Sequence, residues 1–316
     1  MVKIAIAGGS SNVGQEIIDV LVAAKKHDIL ILSRKDAPAE ATPGITWVKT
    51  DYEDTQQLAQ ILQGVHTVLS FITEQETPAS PIQKRLIDAA VQAGVKRLAP
   101  SEWAASSLNH LSWYAYKGTT RQYLADLNKD KKVLEYALFQ PGLFTNYLTQ
   151  PYKSAKHILP IEAPIDFNKR RAILAEGAEN SRITLTTVQD FAQVVARAID
   201  YEGEWPATSG VQGTTLSIAE LIALGEKIRG GRFSIERVRP ADFEDGTWET
   251  SWVPRIDHPS IPTEQTEFFS RIGVVGLSLA FLEGEWSVSD EWNRLLPGYV
   301  FTQAGEFLEE AWRGKD

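Results

Sequence analysis

The sequence predicts an α/β protein: a parallel sheet with helices between its strands, followed by an appended lobe. Three observations carry this reading. From residue 1 to residue 150, short apolar runs alternate with helix-like stretches, the signature of repeated βαβ units. The first run, Val2–Ala7, falls straight into Gly8-Gly9-Ser10-Ser11-Asn12-Val13-Gly14 and then into an amphipathic stretch. Beyond Gln150 the rhythm breaks on Pro151, Pro160 and Pro164, and a different organisation begins.

Strands are expected at Val2–Ala7, Ile29–Leu32, Ile45–Val48, His66–Phe71, Lys96–Ala99 and Leu134–Phe139, each an apolar run too short for a helix. Helix Asn12–Ala24 places Ile17, Leu21 and Ala24 on one stripe, and Thr55–Leu62 carries Leu58, Ile61 and Leu62. Ser80–Ala93 is punctuated at both ends: Ser80 as N-cap, Pro81 at the first helical position, Gly94 after the last turn. Past the prolines, Ile183–Leu185 reads as a strand, Thr187-Val188-Gln189-Asp190 leads into a helix Phe191–Ile199, and Ser217–Ile228 is another helix. Five of the nine tryptophans, Trp248, Trp252, Trp286, Trp292 and Trp312, fall near the C-terminal end. They are either core aromatics of the lobe or walls of a pocket for an aromatic substrate.

The totals narrow the function classes. Apolar residues make up 43% and charged residues 23% of the 316, a composition with a sizeable core. With no cysteine, disulfides, thiolate metal sites and a cysteine nucleophile are excluded. A net charge of −9, with Lys169-Arg170-Arg171 as the densest basic run, argues against nucleic acid as a partner. Neither a signal peptide nor a membrane span is recognisable, and a cytoplasmic, reducing location fits. The expected partner is a small-molecule substrate, and a homodimer is left open.

A glycine-rich turn between a strand and a helix has a physical use. The unpaired N–H groups of the first helical turn and the helix dipole together attract a pyrophosphate. Glycine lets the backbone come close and take positive φ. Gly8 and Gly14 stand six apart, but Ser11 occupies the middle position; its Cβ narrows the approach, while the Ser10 and Ser11 hydroxyls and the Asn12 amide offer donors to phosphate oxygens. The residues Gly8, Gly9, Ser10, Ser11, Asn12, Val13 and Gly14 are therefore the candidate dinucleotide cradle, with a purely structural turn as the alternative. The second strand ends Leu32-Ser33-Arg34-Lys35. An NAD site places an acid here for the ribose 2′-hydroxyl; a hydroxyl and two cations suit a 2′-phosphate instead. Ser33, Arg34 and Lys35 thus favour NADP(H), unless the two cations are merely exposed loop residues. Asp51, after the third strand, either reaches the adenine side or caps the helix that follows.

The segments VKIAIAGGSSNVGQEIID, LSRKDAP, TDYEDTQQLAQILQGVHTVLS, AGVKRLAPSEW, LFQPGLFTNYL and TTVQDFAQVVARAI resemble, in that order, the NmrA-like and isoflavone-reductase-like proteins, most of all the fungal members. These are atypical short-chain dehydrogenase/reductases. The resemblance implies a doubly wound Rossmann-type sheet spanning 1–150, with a returning segment around 183–216. It also implies a smaller, mostly helical substrate lobe made of 151–182 and 217–316. It implies an NADPH-dependent reductase of a small aromatic, ketone or enone metabolite in specialised metabolism. The matching lysine, downstream of Pro100-Ser101-Glu102-Trp103, is Lys117, which would touch the nicotinamide ribose and act as or organise the general acid/base. Phe71, Ser101, Pro141 and Phe144 would lie on the cofactor side, although Pro141-Gly142 also suits a plain turn. A typical member of the wider superfamily carries Tyr-x-x-x-Lys; here Trp113 stands four before Lys117 and Tyr114 three before, which on a helix shares its face while Tyr116 points elsewhere. Tyr114 is the candidate proton donor. A dinucleotide-sensing regulator without turnover, and a redox-neutral reaction in the same pocket, are the competing readings.

His27, His66, His110, His157 and His258 are scattered with no ligand spacing, so no metal site is expected. His110, between Glu102 and Lys117, is either an exposed loop histidine or a donor near the substrate.

Overall fold

A computed structural model describes residues 1–39, 42–256 and 263–315; His258 lies outside them. The chain divides into two compact units. The first comprises residues 1–103, 113–140 and 191–209, the second residues 104–112, 141–190 and 210–316.

In the first unit, β1 (Lys3–Ala7), α1 (Asn12–Ala24), β2 (Asp28–Ser33), β3 (Ile45–Lys49), α2 (Thr55–Ile61), β4 (Thr67–Ser70), α3 (Pro81–Gln92), β5 (Arg97–Ala99), α4 (Ala115–Leu127) and β6 (Glu135–Tyr136) follow in order. The strands form one parallel sheet in the order β3-β2-β1-β4-β5-β6. The chain therefore reverses direction across the sheet between β1 and β4, the point at which such sheets bind ligands beyond their carboxyl ends. Alternation along the strands covers both faces. Ala5, Leu30, Val68 and Leu98 share a core with Leu58 and Leu62 from the α2 segment, Leu86 and Ala90 of α3, and Leu124 of α4. On the other face Ile6, Ile31 and Ile18 of α1 converge beneath Gly9.

The expected strand Leu134–Phe139 is broken in two. Ala137 N–H still donates to Leu98 O at 3.0 Å, but Leu138 N–H turns to Ala207 O at 2.8 Å. From there β7 (Leu138–Gln140) pairs with the returning strand Thr208–Gly210. Arg97, buried at the other end of β5, ties this return down. It donates to Glu135 at 2.7 Å, to Tyr201 O at 2.7 Å and to Gly203 O, and lies over the Trp205 ring. Two capping expectations are also corrected. Ser80 occupies the N-cap position of α3 with φ +53 but makes no cap bond; the buried Glu74 carboxylate accepts instead from Ile82 N–H at 2.9 Å and Gln83 N–H at 3.0 Å. The Ser80 hydroxyl donates to that same carboxylate, which is why it is lost to the helix. Asp54, not Asp51, caps α2, accepting from Gln56 and Gln57 N–H.

In the second unit the strand Arg171–Ala175 lies between Ser234–Val238 and Ile165–Asp166, and Arg182–Thr186 lies between Leu143–Phe144 and Thr214–Ser217. These two small sheets accompany the helices Ile218–Arg229, Thr266–Leu282 and Ala304–Trp312. Ser217 caps the first of these helices through a capping box with Glu220. Trp248, Trp286, Trp292 and Trp312 are buried. Trp248 belongs to a core with Ile173, Val238, Phe243 and Val274, against which Trp252 packs. No helix among the described residues is long and apolar enough to cross a membrane, and those residues hold no His/Asp/Glu cluster able to ligate a metal.

Two half-buried histidines of the first unit make stability pH-dependent. Burial, reinforced by nearby cations, holds His27 and His66 below the ordinary 6.5, against the pull of Asp200 and Glu135 respectively. The unfolded chain then takes up protons more readily than the folded one, so this contribution is complete above 6.5 and is lost as pH falls below it. Thermal melts are expected to drop between about pH 7 and about pH 5, above the carboxylate range. A His27→Gln/His66→Gln double variant that keeps the full slope would overturn the assignment.

Candidate functional site

The carboxyl end of β1 runs into the glycine turn as the first unit demands. Gly8 has φ +72, and a Cβ there would sit 3.0 Å from Phe71 C and 3.1 Å from Ile72 N, main-chain atoms that cannot yield. The Gly8 N–H reaches both Leu32 O and the Tyr52 hydroxyl at 3.3 Å, while that hydroxyl donates to Leu32 O at 2.7 Å. Tyr52 is thus a buried strut joining the ends of β1 and β2, and burial pushes its phenol up to about 12. Ser11 caps α1: its Oγ accepts from Gly14 N–H at 3.0 Å. This explains a serine where a third glycine was anticipated, and the hydroxyl still has a proton to donate. Among the described residues, the N–H groups of Ser10, Asn12 and Val13 donate to no protein group. They form the open end of a thirteen-residue helix, an arrangement that fits a pyrophosphate. Phe71 supports the turn from below. Its ring would be 3.2 Å from a Cβ at Gly14 and stacks on Trp103 at 4.6 Å.

At the end of β2, the Ser33 hydroxyl accepts from Lys35 N–H at 3.0 Å and shapes the turn. Arg34 and Lys35 are exposed. Arg34, Lys49, Thr50, Asp51 and Gln57 line an open depression of about 310 Å³. Lys49 pairs with Asp36 at 2.6 Å in an exposed bridge, which water screens. Lys49 was not singled out from the sequence, because only pairing β3 beside β2 brings it next to Arg34. Asp51 accepts from Glu53 N–H at 3.0 Å.

The lysine site lies at the end of β5 and the start of α4. Lys117 is only 5% exposed, where most lysines are solvated. Its ammonium donates to Ser101 O at 3.0 Å and Glu102 O at 2.5 Å, and its third N–H has no protein partner among the described residues. Burial disfavours the charged form and lowers Lys117 to about 8, with Glu102 opposing the shift and Arg121 adding to it. Tyr114 ends a 3₁₀ turn, Ser112–Tyr114, ahead of α4, so helical face arithmetic does not apply to it. It nevertheless meets Lys117, ring face first, with Nζ 4.3 Å from the ring centroid. Tyr116 does not point elsewhere: it is buried, and its ring lies 5.4 Å from the same Nζ. Burial raises both phenols.

His110, Pro141 and Phe144 belong to the second unit. There His110 is held by Glu285, whose buried carboxylate accepts from the ring Nδ1–H at 2.8 Å and from the main-chain N–H at 3.1 Å. Glu285 lies 175 positions away in sequence, and no local pattern announces it. Gly142 has φ +69, and a Cβ there would collide with Thr184 O. Pro141 O accepts from Thr186 Oγ1 at 2.7 Å, and Phe144 pairs with Thr186 along the strand. Packing against Thr184 accounts for the glycine in this turn.

Over 237 residues the chain is 30% identical to the oxidoreductase BOA1 of Botryotinia fuckeliana, covering 74% of this chain and 78% of that protein. It is 26% identical over 247 residues to quinone oxidoreductase 2 of Escherichia coli, covering 76% and 79%. Among solved structures, the NADPH-dependent quinone oxidoreductase QOR2 of Escherichia coli complexed with NADPH matches with a TM-score of 0.68 at 23% identity, over 98% of this chain and 100% of that one. An isoflavone reductase matches at 0.67 and 19% identity, over 98% of both chains. These structural likenesses establish the Rossmann-like fold. The NmrA-like family profile spans residues 2–308, and the chain belongs to that family.

Proposed function

We propose that this protein is an NADPH-dependent oxidoreductase that reduces a small ketone, enone or quinone-like metabolite, with Lys117 handling the proton. The observation that carries the reading is the seating of Lys117: a buried ammonium, fixed on two main-chain carbonyls, with one N–H left to give. A lysine lowered to about 8 by burial is well matched to proton transfer near neutral pH. The relatives named oxidoreductases and the NADPH-dependent fold neighbours support the same class. A place in specialised metabolism rests on the likeness to fungal members.

The cradle residues divide the binding work. Ser10, Asn12 and Val13 N–H groups would hold the pyrophosphate at the end of α1, Ser11 keeping that end open by capping Gly14. Arg34 and Lys49 would take the 2′-phosphate, where a guanidinium fork is worth more than a point charge. NADPH, when bound, supplies the hydride. Lys117 would orient the nicotinamide ribose and deliver the proton that the reduced substrate needs, directly or through a hydroxyl it holds. Tyr114 presents its ring face to the ammonium, so it keeps Lys117 company on one side more than it competes as donor.

The test is consumption of NADPH, followed by its near-ultraviolet absorbance, with a panel of quinones, enones and aromatic ketones. Turnover with at least one class is expected. Tight NADPH binding with no consumption across the panel would overturn the reductase reading in favour of a sensor or a redox-neutral enzyme. Arg34→Ala is expected to weaken NADPH by about tenfold to a hundredfold, the worth of charge-assisted bonds to one phosphate, and to leave NADH within about twofold. Equal losses in fluorescence titrations of the two dinucleotides would refute the 2′-phosphate assignment.

A further inference from the structure

The carbonyl pair that seats Lys117 is a bent piece of backbone with its own supports. Glu102 N–H donates back to Pro100 O at 2.7 Å, and Trp103 follows with φ +41. A bulky side chain takes that left-handed conformation only where its surroundings impose it. The Trp103 indole N–H donates to Ser70 O at 2.7 Å and its ring stacks on Phe71; Ser101 N–H donates to Gln83 Oε1 at 3.5 Å. The remaining support is ionic. The Glu102 carboxylate, 1% exposed, accepts from Arg121 Nε–H at 3.0 Å and from one terminal N–H of the same guanidinium. Arg121 sits one turn beyond Lys117 on α4, so the pair links the elbow to the helix that carries the lysine. A buried carboxylate deprived of its cation is strongly destabilising, and here its own main-chain oxygen is one of the two that hold Lys117.

We propose that Arg121 is a positioning residue for Lys117: by pinning the Glu102 carboxylate it fixes the elbow whose two carbonyls seat the ammonium, and through the same pair it sets how readily Lys117 gives up its proton. This rests on the reading of Lys117 as the proton-handling group. The groups that face Lys117 are Glu102, which attracts the ammonium, Arg121, which repels it, and the phenols of Tyr114 and Tyr116, which burial keeps neutral; Glu74 faces Tyr116 in turn. Removing the carboxylate and removing the guanidinium therefore act on Lys117 with opposite signs. An ion pair that only braced the fold would give the same sign for both, because loosening the elbow exposes the lysine either way.

The experiment is the pH dependence of acetylation at Lys117 on the full chain, resolved by peptide mass spectrometry. It is run beside the pH profile of NADPH oxidation, with thermal melts confirming that each variant is folded. Arg121→Gln is expected to move the labelling inflection up by about one pH unit and Glu102→Gln to move it down by about as much. Arg121→Lys, which keeps the charge, should stay within about half a unit of wild type. Should Arg121→Gln fail to fold, the Arg121→Lys and Glu102→Gln pair still decides: an unmoved Glu102→Gln inflection, or shifts of one sign in folded variants, overturns the inference. Labelling shifts of opposite sign with an unchanged rate profile would uphold the positioning role and remove Lys117 from the chemistry, which separates the two claims.

Discussion

Lys117→Met is expected to lower kcat by about a thousandfold while the dissociation constant for NADPH stays within about tenfold of wild type. Methionine matches the length and fills the buried site but carries neither proton nor charge. The binding elements at α1 and β2 are untouched by the change, so affinity for the dinucleotide survives except for the bond to the nicotinamide ribose. Ser101 O and Glu102 O lose a shared donor, which costs about 1–3 kcal/mol for buried acceptors left unpaired; a thermal melt accompanies the assay to show that the variant is folded. Turnover within about tenfold of wild type in folded Lys117→Met would take this residue out of the reaction. In the wild-type protein the sign of the pH effect is set as well. A donor works in its protonated form, so the rate limb governed by Lys117 should fall as pH rises through about 8.

Gly8→Ala is expected to abolish measurable NADPH binding and to destabilise the protein by about 2–5 kcal/mol. Two costs add. A left-handed φ is unfavourable for any residue with a Cβ, by about 1–2 kcal/mol. The new methyl also meets Phe71 and Ile72 main chain at 3.0–3.1 Å, and overpacking of that kind costs about 1–3 kcal/mol. Relief comes only if the turn moves away from β4, and that shift carries the Ser10, Asn12 and Val13 amides with it. Calorimetric titration with NADPH and a melt of the apoprotein check the two halves. A variant that binds normally would show that the turn is structural and that the phosphates sit elsewhere.

Much of the candidate site could be read from the chain because it is local. A strand, a glycine turn and a helix in direct succession define an anion cradle without reference to anything distant, and the elements from β1 to β5 follow their apolar runs to within a residue or two. The family fingerprints proved to be a different kind of signal. Arg97 of AGVKR is a buried clasp for the 201–205 return. Asn146 of the FTNY segment accepts from Val188 N–H at 2.9 Å, holding the start of a helix. Gly142 is required by Thr184 packing. The segments that identify the family are thus largely those that build it.

What the sequence determined by itself was the class of fold, and it marked the glycine turn as a candidate cradle: each depends on periodicity or on φ preference along a single stretch, whereas Lys117 was singled out only through the family resemblance. Only the tertiary structure decided what those residues face. Lys117 reads as a helix lysine like any other until the Pro100–Trp103 elbow turns two carbonyls toward it and Arg121 and Glu102 close around it. Lys49 joins Arg34 only because β3 pairs with β2, and Glu285 reaches His110 from 175 residues away. Proton affinity and charge recognition are set by desolvation and by neighbours within a few ångströms, and neighbours of that kind are assigned by how strands pair and loops close, which no linear spacing records.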